Sequence, residues 1–154
     1  MQLAFWEPDT DNNLEISQDD EDLRPNIGLV GEHLTAADLI ERGCACSFAS
    51  AGLPYDLIAE HGGRLYRVQV KTKTRLSQRG RYDFVAQKRY IAEGWVKRGF
   101  DMYLGKCELL AFVALDRRLI LYTRVEETPH TLIVRSERFT KEICDLSFES
   151  AIRA

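Results

Sequence analysis

The spacing of apolar residues changes along this chain, and each change marks the boundary of a predicted element. Residues 28–42 repeat apolar side chains at helical spacing, and Gly43 supplies a stop signal, so this segment is predicted to be a helix. Residues 44–51 are almost continuously apolar or small. That pattern predicts a central strand covered on both faces of a sheet.

The next stretch has the pattern of a β-hairpin. Residues 55–59 are mostly apolar around one acid, Asp56, and residues 65–72 largely alternate between apolar and polar side chains. A Gly-Gly pair between them is a tight-turn signal, because glycine adopts positive φ without steric cost. Gln69 and Lys71 are two residues apart in the second strand, so their side chains project from the same face.

The second half of the chain adds strands and closes with a helix. Aromatic and basic residues recur at near-helical spacing in 88–104, which predicts an amphipathic helix. Residues 109–115 are apolar throughout, as expected of a strand at the centre of the sheet. The other predicted elements are strands at 82–86, 119–123 and 131–134, a loop at 126–130, and a helix within 136–154.

These elements predict an α/β fold, a mixed sheet of four to five strands flanked by helices. The length of 154 residues fits one domain, which we place at 27–154 after an N-terminal arm at 1–26. No apolar run approaches 18 residues, and the N-terminus is acidic, so we expect neither a membrane span nor a signal peptide. The four cysteines lack CxxC spacing, and we expect buried free thiols in a cytoplasmic protein.

Charge is divided unevenly along the chain, which has a formal net charge of −3. The arm at 1–26 carries eight acids against one arginine, whereas 64–106 carries twelve basic residues against three acids. A basic surface of this kind suits the phosphate backbone of a nucleic acid, although a solvated charged surface remains the alternative. The expected DNA contacts are Lys73, Arg75, Arg79, Arg81, Lys88 and Arg89.

The hairpin brings three polar groups towards one side if its strands pair in the expected register. Asp56 would supply a hard oxygen ligand for Mg²⁺, and the side-chain carbonyl of Gln69 a neutral one. Lys71 would position the attacking water or offset charge on a phosphate. These groups suit metal-assisted phosphodiester hydrolysis; the alternative is an edge hairpin whose polar face is simply solvated.

A fourth residue, Glu32, strengthens the catalytic interpretation. The order Glu32, Pro54-Tyr55-Asp56 and Gln69-Val70-Lys71 resembles the PD-(D/E)xK nuclease superfamily, in which a helix-borne Glu precedes a hairpin with Pro-Asp and Glu-x-Lys. Tyr55 separates Pro54 from Asp56, and Gln69 stands where most relatives have a carboxylate. The Gln-x-Lys form resembles the group I intron homing endonucleases of this superfamily.

The resemblance implies a restriction-endonuclease-like fold and a DNA endonuclease that depends on Mg²⁺ or Mn²⁺. Asp56 and Gln69 would ligate the metal, Glu32 would do so through water or at a second ion, and Lys71 would meet the nucleophile. Because cutting both strands with one such site needs two copies, we expect a homo-oligomer, a dimer or tetramer. The alternative function is a catalytically inactive module that binds nucleic acid or a protein. An acid near the later strands, Asp101 or Glu108, is given no catalytic role.

Overall fold

The computed structural model describes residues 24–86, 88–92, 95–99 and 103–153. The predicted acidic arm lies outside these residues apart from 24–26, which open the first helix. The elements in chain order are α1 (Arg24–Glu41), β1 (Ala45–Phe48), β2 (Leu57–His61), β3 (Arg64–Lys73), β4 (Arg81–Val85), β5 (Lys88–Ala92), β6 (Trp95–Gly99), β7 (Leu109–Ala114), β8 (Leu119–Arg124), β9 (Thr131–Arg135) and α2 (Lys141–Ile152). Short 3-10 turns occupy Val125–Glu127 and Ser136–Arg138.

Five of the strands form one mixed sheet in the order β1-β2-β3-β7-β8. Neighbours pair antiparallel except for β3 and β7, which are parallel. The predicted α/β fold with a mixed central sheet is therefore confirmed. All six residues of β7 are buried between β3 and β8, which confirms its predicted central place.

The core lies on both faces of this sheet. One cluster joins α1 and α2 to the face that carries Val68 and Val70 of β3. The second cluster packs the separate β4–β9 ribbon against Leu110 and Phe112 of β7. Because Leu110 and Phe112 pair with Gln69 and Lys71 in register, the polar residues of β3 project from the face opposite the helices.

Two predicted elements were wrong. The run at 44–51 is not a central strand, because β1 pairs only with β2 and forms the sheet edge, with Phe48 48% exposed. Its small side chains are apolar but bury little area, so the apolar composition of this segment did not predict how exposed it is. The helix predicted at 88–104 is also wrong, because 88–92 and 95–99 are antiparallel strands, β5 and β6; residues 93–94 and 100–102 of that prediction lie outside the described residues. Its aromatic and β-branched residues favour strands, and that preference outweighs the near-helical spacing.

The predicted free cysteines are confirmed. Cys44, Cys107 and Cys144 are buried, Cys46 is partly buried, and all four are free thiols. Burial raises the pKa of Cys107 and of Cys144 to about 12, so both remain protonated at neutral pH. No helix in the described residues is both long and apolar enough to cross a membrane.

A charged network ties the two helices to the sheet. Arg42, just after α1, donates to Asp38 at 2.7 Å and to Asp145 of α2 at 2.8 Å. The buried hydroxyl of Tyr122 on β8 also donates to Asp38, at 2.7 Å. The Arg42 guanidinium lowers the pKa of Asp145, so this contribution to stability is present at neutral pH and is lost as the pH falls through the folded-state pKa.

We expect Arg42→Ala to lower the free energy of unfolding by about 1–3 kcal/mol, because it leaves two carboxylates without their shared donor. Arg153→Ala is the matched control, since Arg153, just after α2, pairs with Glu149 of that helix and its side chain is 78% exposed. The control should change stability by less than about 0.5 kcal/mol. Urea unfolding at neutral pH measures both, and equal losses would contradict the structural role of Arg42.

Candidate active site

Asp56 lies immediately before β2 and is fixed by hydrogen bonds of its backbone and its side chain. Its N–H donates to the carbonyl of Val68 at 2.9 Å, and its own carbonyl accepts from Ala49 N–H at 2.8 Å. Its carboxylate oxygen Oδ2 accepts from the backbone N–H of Val70 at 2.7 Å. The carboxylate is thereby held at one position beside β3.

Gln69 contacts this carboxylate directly. Its Nε2 donates to Asp56 Oδ2 at 2.6 Å and to the Val70 carbonyl at 3.2 Å. A neutral amide can donate to a carboxylate, whereas a second carboxylate at the same place would repel it. This contact gives a physical reason why glutamine is compatible with Asp56 at this position.

Glu32 reaches the same region because α1 lies unusually close to β3. A Cβ built on Gly31 would overlap Thr72 Oγ1 and would also lie 3.0 Å from Thr72 Cβ and 3.1 Å from its Cγ2. Only glycine permits this approach, and Glu32 is the next residue of the helix. Partial burial raises the pKa of Glu32, and the nearby charge of Asp56 raises it further.

The structure adds a residue that the sequence did not single out, Tyr103. The Nζ of Lys71 donates to the Tyr103 hydroxyl at 2.7 Å. Tyr103 is only 4% exposed, and burial raises its pKa to about 12. In the sequence it is one aromatic among several in a segment expected to be helical, so only the tertiary contact identifies it.

Tyr103 is carried by a turn that β3 itself anchors. Its carbonyl accepts from Lys106 N–H at 2.9 Å and from Cys107 N–H at 3.0 Å, which closes the turn. Arg67 of β3 donates from its backbone N–H to Glu108 Oε2 at 2.6 Å and from its guanidinium to Glu108 Oε1 at 2.5 Å. Glu108 is thus a structural partner of Arg67, while Asp101 lies outside the described residues.

The structure places the four predicted site residues in one region of the protein. Asp56 and Gln69 are in contact, Glu32 interacts electrostatically with Asp56, and Lys71 shares the strand face of Gln69. The described residues contain no group of three or more His, Cys, Asp and Glu side chains suited to a metal ion. Among the residues that the structure describes, the carboxylates of Glu32 and Asp56 interact here, and the third polar group, Gln69, is an amide.

The predicted DNA contacts are distributed along the chain that leaves this site. Lys73 ends β3 on the face of Lys71, about 7 Å further along the strand. Arg75 and Arg79 are exposed in the loop that follows. Arg81 opens β4 and lies 2.9 Å from Asp83, which offsets its charge. Lys88 and Arg89 belong to β5, whose side chains lie outside the part of the chain that is described.

Comparison with known proteins finds one matching family and solved structures of similar fold. The family model described as PD-(D/E)XK endonuclease matches residues 25–128. The fold is similar to that of a bacterial homing endonuclease, I-Ssp6803I, with a TM-score of 0.65 and 14% identity over 84% of this chain and 97% of that one. A Holliday junction resolvase, Hjc of the archaeal hyperthermophile Archaeoglobus fulgidus, gives a TM-score of 0.46 and 16% identity over 73% and 86%. No curated protein sequence matches the chain.

Gly31→Ala should lower the free energy of unfolding by about 1–3 kcal/mol, because the new methyl group overlaps a β-branched side chain and α1 must move away from β3. Gly28→Ala is the matched control in the same helix: its Cβ would meet nothing within 4 Å, so we expect stabilisation by about 0.5–1 kcal/mol. Urea unfolding compares the two variants. Adding Thr72→Ala to Gly31→Ala removes Oγ1 and Cγ2, two of the three atoms nearest the new methyl group, and should recover part of the loss.

Gln69→Glu should destabilise the metal-free protein by about 1–3 kcal/mol at neutral pH, because it removes the donor to Asp56 and adds a repelling carboxylate. The same change should increase the rise in melting temperature on adding Mg²⁺ or Mn²⁺. Glu32→Gln is the control, and both of its effects should be opposite. It relieves the repulsion with Asp56, so the metal-free protein should be more stable, and the rise in melting temperature on adding the cation should be smaller. Thermal unfolding in EDTA and in divalent salt measures both; unchanged responses in both variants would argue against a metal site here.

Proposed function

This chain belongs to the PD-(D/E)XK endonuclease family, and we propose that it is a divalent-metal-dependent DNA endonuclease that hydrolyses phosphodiester bonds. The observation that carries the proposal is the meeting of Asp56, Gln69 and Lys71 on one face of β3, with Glu32 delivered by α1. Membership of the family supports nuclease chemistry. The similarity to the homing endonuclease supports the fold that would carry the site.

The donor set suits a hard cation such as Mg²⁺ or Mn²⁺. Asp56 and Glu32 supply carboxylate oxygens and Gln69 an amide oxygen, all ligand types that these ions accept. The raised pKa of Glu32 reflects partial burial and the charge of Asp56, and a cation between the carboxylates would relieve that repulsion. A bound cation would make water a better nucleophile and offset negative charge on the phosphate.

The side chains around such an ion have separate tasks in this proposal. The Val70 N–H and the Gln69 amide hold Asp56 in a single orientation, so little ordering is needed when substrate arrives. Lys71 would place its ammonium beside the scissile phosphate, where negative charge develops in the transition state. Glu32 would act through water or at a second ion.

DNA would reach the site along the basic segment that follows β3. Lys73, Arg75 and Arg79 continue from the strand that carries Lys71, and such side chains would neutralise successive phosphates. Arg81 would contribute less to DNA binding because Asp83 lies beside it. Lys88 and Arg89 of β5 are also proposed to bind DNA. Cleavage of both strands of a duplex needs two such sites, so the proposal includes a homo-oligomer, either a dimer or a tetramer. The four free thiols suit a cytoplasmic location.

One observation favours a second candidate, an inactive module that binds nucleic acid or protein through the nuclease fold. Gln69 leaves the site one negative charge short of a three-carboxylate arrangement, which weakens attraction for a divalent cation. This candidate predicts DNA or protein binding without cleavage under any divalent condition.

The decisive experiment is incubation of the purified protein with supercoiled plasmid and with branched DNA, in EDTA, Mg²⁺ or Mn²⁺. The nuclease proposal expects nicking or cleavage only with a divalent ion, and Asp56→Asn should abolish it. Binding without cleavage by the unaltered protein in every condition would support the inactive module.

Lys71→Ala should reduce the cleavage rate by about 10²-fold or more, while leaving DNA affinity and folding nearly unchanged. Lys141→Ala is the control for loss of one positive charge, because Lys141 is exposed at the start of α2 and lies outside the proposed site. Single-turnover cleavage rates and DNA dissociation constants separate the two effects. A near-normal rate in the Lys71 variant would remove this residue from the mechanism.

A further inference from the structure

We propose that Tyr103 is a positioning residue that holds Lys71 at the scissile phosphate, an inference that rests on the function proposed above. The contact is direct: Lys71 Nζ donates to the Tyr103 hydroxyl at 2.7 Å. Lysine has four rotatable side-chain bonds and a strongly hydrated head, so an unrestrained ammonium would occupy many positions. A fixed acceptor reduces that freedom before substrate binds.

The acceptor is itself held firmly. Tyr103 is 4% exposed and belongs to the cluster that also contains Leu110 and Phe112. Its turn is tied to β3 through the contacts of Arg67 with Glu108 and through a guanidinium donor to the Gly105 carbonyl at 3.4 Å. The strand that bears Lys71 therefore also anchors the turn that restrains it.

A tyrosine hydroxyl suits this task better than a carboxylate would. Burial raises the pKa of Tyr103 to about 12, so the hydroxyl is neutral in the pH range in which such enzymes are assayed. A neutral acceptor fixes the ammonium without cancelling its charge, whereas a carboxylate would form an ion pair and compete with phosphate. The Tyr103 hydroxyl therefore does not itself offset the positive charge that Lys71 would direct toward the substrate.

Tyr103→Phe tests the proposal because it removes one oxygen and keeps the buried ring. The single-turnover cleavage rate should fall by about 10-fold, as expected for loss of a hydrogen bond to a charged group, with DNA affinity unchanged. Tyr66→Phe is the matched control: Tyr66 is also 4% exposed, lies on β3 facing the other cluster, and donates to the Ile152 carbonyl at 3.2 Å. Its cleavage rate should stay within about 2-fold of the unaltered protein.

A double-mutant cycle shows whether Tyr103 acts through the lysine. In a Lys71→Ala background, Tyr103→Phe should cause no further loss of cleavage rate, because the group that it positions is gone. A further 10-fold loss in that background would overturn the proposal, and so would an unchanged rate in the single variant.

A second readout does not depend on cleavage. In ¹⁵N-lysine-labelled protein without metal or DNA, the Lys71 ammonium should give a resolved signal that exchanges slowly with water. Tyr103→Phe should make that exchange faster, whereas Tyr66→Phe should leave it unchanged. A signal unaffected by Tyr103→Phe would overturn the contact. If the unaltered protein cleaves no DNA, the nuclease proposal fails and the catalytic role of Tyr103 fails with it, whereas this signal still decides whether the hydroxyl orders Lys71.

Discussion

The pairing of β3 with β2 on one side and β7 on the other is the constraint on which this structure depends. Because side chains alternate along a strand, this pairing sends Val68 and Val70 into the core beneath the helices and turns Gln69 and Lys71 to the opposite face. The same strand receives Asp56 through the N–H of Val70. Alternate residues of β3 thus serve the core and the proposed site. A shift of one residue in the pairing register would exchange the two sets of side chains.

Partial burial of Glu32 and its electrostatic repulsion by Asp56 both oppose the ionised state of Glu32 in the proposed site. Asp56 raises the pKa of Glu32, and α1 is nevertheless held against β3 because Gly31 has no side chain to separate them. Gln69 limits this repulsion by donating to Asp56 instead of adding a third charge. One negative charge fewer lowers the repulsion within the protein and would also lower the attraction for a divalent cation, which is the physical difference between the proposed nuclease and the inactive module.

The contact between Lys71 and Tyr103 extends the proposed site to a loop residue outside the family motif. The turn of Tyr103 is fixed by Arg67, so in this proposal the position of the lysine also depends on the ion pair of Arg67 with Glu108. Arg42 has a similar structural role between the helices. The proposed site is therefore supported by charged contacts on the second sheet face, while the helices that cover the first face are tied together separately.

The sequence by itself determined the β2–β3 hairpin, the buried strand β7 and the α/β class, because these depend on local period and short spacing. Its resemblance to a family motif also singled out Glu32, Asp56, Gln69 and Lys71 as the residues of the proposed site. It did not determine that 45–48 is an edge strand or that 88–92 pairs with 95–99, because exposure and pairing depend on which other elements cover a segment. The contact of Gln69 with Asp56, the close approach at Gly31 and the restraint of Lys71 by Tyr103 were decided only by tertiary structure. Each joins residues distant in sequence, and no local pattern specifies which atoms will meet when strands and helices pack together.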